Sequence, residues 1–170
     1  MPDAASVKLV VFDVDGVLTD GSIFVGDTGA EFKRFHVRDG LAIQAATSVG
    51  LKVGVISARS TPAVTLRMNE LKIENVIQGM RDKGEGLDKL CSRAQVDLED
   101  TAYLGDDLYD LPAMVRCGYP MAVADAAEEV RTAASYVTRA AGGRGAVREA
   151  VEHILKAQGL WDAVLERYGI

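Results

Sequence analysis

Four short stretches of this sequence carry side chains that could do chemistry together: Asp13-Val14-Asp15-Gly16, Ser57-Ala58-Arg59, Lys83, and Gly105-Asp106-Asp107-Leu108-Tyr109-Asp110. They supply carboxylates, a hydroxyl and an ammonium. Each stretch alone has a plain structural explanation. Acidic residues in loops cap helices or sit in solvated turns, Asp-Gly is a turn signal, and serine after an apolar run is a common cap. The coincidence of all four is harder to explain that way. Carboxylates placed directly after buried apolar runs repel one another and need a counter-charge, which a metal ion and Lys83 would supply. Oxygen ligands without a His or Cys cluster point to Mg2+. A carboxylate nucleophile beside a cation suits phosphoryl transfer through an aspartyl-phosphate. The barrier is then lowered by positioning and by neutralising the phosphoryl oxygens.

The elements that must position these residues alternate along the chain. Val7–Val14 reads as a fully buried strand, followed by strands at Leu51–Ser57, Asn75–Gln78, Thr101–Leu104, Tyr119–Val123 and Tyr136–Thr138. Helical stretches fall at Asp39–Val49, Lys83–Ala94, Leu108–Cys117, Ala126–Ala134 and Ala146–Gln158. Another opens at Thr61-Pro62, with the hydroxyl as cap and proline at the first position, and runs to about Leu71. Ser22–Val25 and Glu31–His36 flank Gly26-Asp27-Thr28-Gly29 and read as a β-hairpin. The alternation predicts an α/β fold: a Rossmann-like, mainly parallel sheet with helices on both faces, plus the hairpin after the first strand. Ligands of such sheets sit outside the carboxyl ends of the strands. The four reactive stretches lie there.

Length and composition bound the rest. A chain of 170 residues fits one domain over 1–170, with the hairpin at about 20–36 and a C-terminal tail at about 159–170. With 48% apolar and 26% charged residues, disorder is excluded as the main state. No apolar run approaches the roughly 20 residues of a membrane-spanning helix. A net charge of −6 speaks against nucleic-acid and membrane-surface partners, but leaves room for a local basic pocket for a phosphorylated small molecule. Cys91 and Cys117 are 26 residues apart and match no metal or redox spacing, so reduced buried thiols are expected. Asp13 and Asp15 interrupt the one apolar candidate for a leader segment, and the expected location is the cytoplasm. Trp161, Leu165 and Tyr168 form an apolar seam whose default reading is core or subunit contact, and the tail is expected to dock on a partner subunit or stay partly disordered. His153 reads as structural. His36 reads either as a substrate contact or as a packed or interface histidine.

The four stretches, in this order, resemble the motifs of the haloacid dehalogenase superfamily in its phosphatase branch. The resemblance implies that Asp13 is the nucleophile and that Asp15 is the general acid for the leaving oxygen, then the base for water. Ser57 and Lys83 would hold the phosphoryl group. Asp13, the Asp15 carbonyl and Asp106 would bind Mg2+. Asp110 would orient the metal's waters, a task that Asp107 could share. The second aspartate of Asp13-x-Asp15 argues against a dehalogenase, whose halide leaves without a proton.

Phe35-His36-Val37-Arg38-Asp39-Gly40-Leu41, Asp110-Leu111-Pro112, Val123-Ala124-Asp125-Ala126 and Gly142-Gly143-Arg144-Gly145-Ala146-Val147-Arg148-Glu149 extend the likeness. With them, the chain from about Val7 to Gln158 resembles the capless 3-deoxy-D-manno-octulosonate 8-phosphate (Kdo-8-phosphate) phosphatases. Length agrees, since about 20 residues separate Asp15 from Phe35, room for a hairpin and not for a cap domain. The resemblance implies hydrolysis of Kdo-8-phosphate to Kdo and phosphate in lipopolysaccharide precursor synthesis. It also implies a homotetramer in which hairpins build a central barrel and a neighbour's C-terminal segment closes each site.

The Gly-Gly-Arg-Gly loop and the tail after it are the candidates for that segment. Arg38, Arg59, Arg67 and Arg144 are the cations considered for the sugar carboxylate and hydroxyls, since a guanidinium suits planar bidentate recognition. Relatives acting on nine-carbon sugar acids carry an acidic residue where Arg59 stands, so Arg59 favours the eight-carbon substrate. Ser57-Ala58-Arg59 departs from the commoner Ser-Gly-Arg. Two other readings stand beside this one: a phosphatase for another sugar phosphate such as a nonulosonate 9-phosphate, and a catalytically idle assembly subunit. The intact Asp13, Asp15, Lys83 and Asp106 argue against the idle subunit.

Overall fold

Leu9–Phe12 forms strand β1 and is buried at every position, as befits an unbroken apolar run in the middle of a parallel sheet. The computed structural model describes residues 3–170, so the first two residues of the expected domain lie outside the described ones. A hairpin follows, β2 (Phe24–Val25) and β3 (Glu31–Phe32), pairing antiparallel with Phe24 opposite Phe32. It is shorter than its sequence suggests. The remaining elements are α1 (Val37–Ser48), β4 (Lys52–Ile56), α2 (Pro62–Glu70), β5 (Asn75–Ile77), α3 (Lys83–Ala94), β6 (Thr101–Gly105), α4 (Leu111–Met114), β7 (Tyr119–Ala122), α5 (Glu128–Ala133), β8 (Tyr136–Val137), α6 (Ala146–Ala157) and α7 (Trp161–Glu166).

Six strands make one parallel sheet in the order β5-β4-β1-β6-β7-β8. The chain moves outward from β1 on one side through β4 and β5, then crosses back to β6 and moves out the other way. Right-handed crossovers therefore place α1 and α2 on one face and α3, α4 and α5 on the other. The final long helix, α6, packs on α1. The direction reverses between β1 and β6, and an open crevice forms where their following loops part.

Local signals set the element ends. Thr61 caps α2 by accepting the Val64 N–H at 3.4 Å, with Pro62 at the first position. Asp82 caps α3 through the Glu85 N–H at 3.0 Å. α6 starts after Gly145, which has no side chain to offer, and a distant residue serves instead. The buried carboxylate of Asp39 in α1 accepts the Arg148 N–H at 2.8 Å, joining the two helices. α6 buries Ala146, Val147, Ala150, Val151, Ile154 and Leu155 along one stripe. Each large apolar side chain so buried contributes about 1.5–3 kcal/mol.

One expectation needs correction. The predicted helix Leu108–Cys117 is a single tight turn, Leu108–Asp110, followed by the short α4. Asp107 bonds the Leu108 N–H while Asp110 turns its carboxylate back to the Asp106 and Asp107 N–H groups, so these two carboxylates cap the start of a turn that runs directly into α4, which ends at Met114. Part of the tail also meets its own chain, while Tyr168 and Ile170 stay exposed. α7 packs on α6, Val164 is buried, and the Arg148 guanidinium lies 4.9 Å from the centre of the Trp161 ring. Cys91 and Cys117 are buried free thiols, as expected. Among the described residues no helix is long and apolar enough to cross a membrane.

Candidate active site

β1 delivers Asp13 to the crevice, and the Asp13 N–H still donates to Leu104 of β6 at 3.1 Å. The nucleophile candidate is thus fixed by the sheet ladder itself. The next five residues, Val14–Leu18, form one wide turn closed by the Thr19 N–H on the Val14 carbonyl at 2.9 Å. Gly16 makes this turn possible. Its φ of +97° is open to glycine, and a Cβ there would collide with the Asp106 carboxylate. The Gly142-Gly143 loop packs on the same turn, with the Gly143 N–H on the Val17 carbonyl at 2.9 Å. Neither glycine has room for a side chain against residues 16–20.

Lys83, at the start of α3, reaches across to the ends of β1 and β6. Its ammonium lies 2.7 Å from Asp13 Oδ1 and 2.5 Å from Asp110 Oδ1, with all three side chains buried. Asp110 is fully engaged. Tyr103 donates to Oδ1 at 2.8 Å, and the Asp106 and Asp107 N–H groups donate to Oδ2 at 2.8 and 3.2 Å. Ser57 directly follows β4, buried, its hydroxyl accepting the Arg59 N–H at 3.2 Å.

The electrostatics follow from one ammonium facing several carboxylates. Burial, then the charge of Asp110, pushes the Asp13 carboxyl up to about 7 despite Lys83. Burial, then Asp13, pushes Asp106 up to about 9. Burial alone would lower Lys83, but the charges of Asp13 and Asp110 outweigh it and raise it, so it stays an ammonium. Burial and Asp110 hold the Tyr103 hydroxyl well above its ordinary range, so it remains a donor.

Negative charge is in excess, and single oxygens of Asp13, Asp106 and Asp110 lie within 4.8 Å of one another. An all-oxygen, under-neutralised set of this kind fits a hard divalent cation of the Mg2+ type. Asp110 is close enough to join the set, but its four hydrogen-bonding contacts show it holding the loop and Lys83.

The crevice holds about 230 Å³ and is lined by Asp13, Asp15, Ser57, Ala58, Arg59, Lys83, Asp106, Asp107, Tyr109 and Asp110. The four stretches picked from the sequence thus converge on one cavity. Larger hollows elsewhere lie away from these carboxylates. Of the four candidate arginines, Arg59 lines the crevice and the other three do not. Arg38 is exposed on α1. Arg67 pairs with Glu70 at 2.8 Å, near the Phe35 ring, and Arg144 lies 3.7 Å from Asp20. His36 Nδ1 stands 3.9 Å from the buried Asp39 and lines no part of the crevice.

Three residues escaped the sequence reading. Tyr103 looked like one more apolar strand position. Glu31 and Lys33, from the hairpin's return strand, pair with Arg59 and Asp15 across 28 and 18 residues of chain. No local pattern announces such pairs.

Residues 75–150 match the family model described as haloacid dehalogenase-like hydrolase. Among curated proteins, the chain is 43% identical over 159 residues to the 3-deoxy-D-manno-octulosonate 8-phosphate phosphatase KdsC of Escherichia coli K12, covering 94% of this chain and 85% of that protein. The Moraxella catarrhalis 3-deoxy-D-manno-octulosonate 8-phosphate phosphatase, solved with magnesium, phosphate and Kdo, superposes with a TM-score of 0.94 at 41% identity, over 97% of this chain and 95% of the other. The cobalt-bound Haemophilus influenzae enzyme gives 0.90 at 42% identity, over 92% and 91%. Likeness of this extent, with the motif residues gathered at one sheet edge, places the chain in the 3-deoxy-D-manno-octulosonate 8-phosphate phosphatase family of haloacid dehalogenase-like hydrolases.

Proposed function

We propose that this chain is a Mg2+-dependent phosphatase hydrolysing Kdo-8-phosphate to Kdo and phosphate, in the synthesis of lipopolysaccharide precursors. The observation that carries this reading is the buried Asp13, clamped by Lys83 and facing Asp106, at the floor of a crevice that Arg59 borders. The sequence and fold of Kdo-8-phosphate phosphatases support the substrate.

In the proposed reaction Ser57 and Lys83 hold the phosphoryl oxygens. An Asp13 carboxylate oxygen attacks phosphorus as the bond from phosphorus to the sugar oxygen breaks. Asp15 gives its proton to that leaving oxygen, and Kdo departs. Asp15 then takes a proton from water as the water oxygen attacks the aspartyl-phosphate, freeing phosphate and restoring Asp13. Asp13, Asp106 and the Asp15 carbonyl would hold Mg2+, which when bound neutralises charge on the phosphoryl oxygens. Asp110 and Asp107 support the ligands from behind. Arg59 receives the sugar carboxylate, releasing Glu31.

The chain acts as one capless domain in the cytoplasm. We assign it the homotetramer implied by its family, with a neighbour's C-terminal segment closing each site. The exposed apolar face of the hairpin, Phe24 and Phe32 at 56% and 62% accessible, supports burial by other copies. Arg38, Arg67 and Arg144 then belong to the walls that assembly completes.

The test is phosphate release from Kdo-8-phosphate with Mg2+, beside a panel of sugar phosphates that includes nonulosonate 9-phosphates. Efficiency on Kdo-8-phosphate well above the rest is expected. Better turnover of another member would transfer the assignment to that substrate. No turnover by folded, metal-loaded protein would leave an assembly subunit.

A further inference from the structure

Lys33 belongs to none of the four reactive stretches, and the phosphatase reaction gives it no task. It directly follows β3, two residues beyond Glu31, so the two side chains share one face of the return strand. That face meets the crevice twice, Glu31 at Arg59 and Lys33 at Asp15. The opposite face carries Phe32 beside Phe24. The Lys33 side chain is wholly buried, at 0% accessible, whereas Asp15 keeps 20%. Lysine is seldom buried without a carboxylate partner, and Asp15 is the one it has among the described residues. Asp15 itself sits in the irregular part of the wide turn, with φ −81° and ψ 108°, just before the left-handed Gly16. Neither a helix nor a strand of its own orients its side chain.

We propose that Lys33 is a positioning residue for proton transfer. It holds one oxygen of Asp15 and so aims the carboxyl at the leaving oxygen of the ester. The proposal rests on the reading of Asp15 as the general acid. Lys33 neither gives nor takes the transferred proton. The proton passes from Asp15 to the sugar oxygen as the bond from phosphorus to that oxygen breaks.

The experiment compares two leaving groups with the full-length, Mg2+-loaded enzyme. Kdo-8-phosphate expels an alkyl oxygen that needs a proton. p-Nitrophenyl phosphate expels a stabilised phenolate that does not. kcat/KM is the readout, because it covers only the steps up to phosphoryl transfer. K33M should lower kcat/KM for Kdo-8-phosphate about 10- to 100-fold, part of the roughly 10²–10⁴ that a placed general acid contributes. On the aryl ester the loss should stay within about threefold. K33Q retains a donor and serves where K33M does not fold, with a smaller split in the same direction. D15N should give the same split, larger. Equal loss on both esters by folded K33M or K33Q, or no loss, overturns the proposal. If D15N splits the esters and the Lys33 variants do not, Lys33 alone is misassigned. If D15N itself falls equally on both, the reading of Asp15 fails first and takes the Lys33 role with it.

Discussion

The two sides of the crevice are built differently. On the side of the proposed nucleophile, Asp13, Lys83, Asp110 and Tyr103 form a dry cluster, each member buried and each carried by a sheet strand, the loop after it, or a helix start. On the hairpin side, Asp15 and Arg59 are more accessible and are met by single partners, Lys33 and Glu31, from a two-residue strand. The first side resembles an oxyanion clamp, with charges set before substrate arrives. On the second, the exposed Arg59–Glu31 contact is exchangeable, one anion replacing another, while buried Lys33 stays on Asp15. Chemistry that must not vary sits in the rigid half. In the proposed reaction, recognition and proton movement, which must respond to substrate, sit in the other.

Variants can break this contrast. D13N should retain the fold and lose turnover by about 10⁴-fold or more, measured by phosphate release, since it removes the attacking oxygen of a group acting as one unit. Substantial remaining activity would remove Asp13 as nucleophile. K83M should be worse for the fold. It leaves Asp13 and Asp110 buried without their shared counter-charge, so denaturant unfolding should show a loss of about 3–5 kcal/mol. R59A tests the other half. Its partner Glu31 is partly exposed, so stability should change by less than about 1 kcal/mol. KM for the sugar-acid phosphate should rise about 10- to 100-fold, the cost of one charge-assisted contact. A large stability loss in R59A would dissolve the distinction between the two sides.

The mildest prediction concerns pH. Asp13 and Asp106 are held up to about 7 and about 9, against about 3.9 for an unfolded aspartate. The folded metal-free protein therefore binds more protons than the unfolded chain across that window. Stability is fullest below about pH 4 as far as these two groups go, and is lost as pH rises through their folded values. Asp20, Glu149 and Glu152 are shifted down and act only near and below their ordinary range. The melting temperature without metal should fall by several degrees from pH 5 to 9. Mg2+ should restore it most at the alkaline end, where both carboxylates are ionised. A flat profile in chelator would argue against the carboxylate crowding.

What could be read from residues alone divides along the same line. The nucleophile side is announced by local grammar. Apolar runs of strand length end in Asp13 and Asp106, Lys83 opens a helix, and the parallel-sheet rule sends all three to one edge. The hairpin side depends on pairs joined only by folding. Glu31 and Lys33 are ordinary charged residues in a polar stretch, and nothing near them in sequence names Arg59 or Asp15. The seam of the tail was visible in Trp161 and Leu165. Its docking site was not, because α6 and α1 come together only through the Asp39 cap and their shared apolar stripe.

The central place of β1 has a consequence for the life of the chain. The proposed nucleophile, Asp13, is made well before its neighbours: its strand is flanked by residues 52–56 and 101–105, and its turn is braced by Gly142 and Gly143. A nascent chain cannot present a finished site until that last loop has left the ribosome. The proposed hydrolysis would thereby wait until residues 142–143 have been made, and phosphate release by chains stalled at successive lengths would date the moment at which the fold closes.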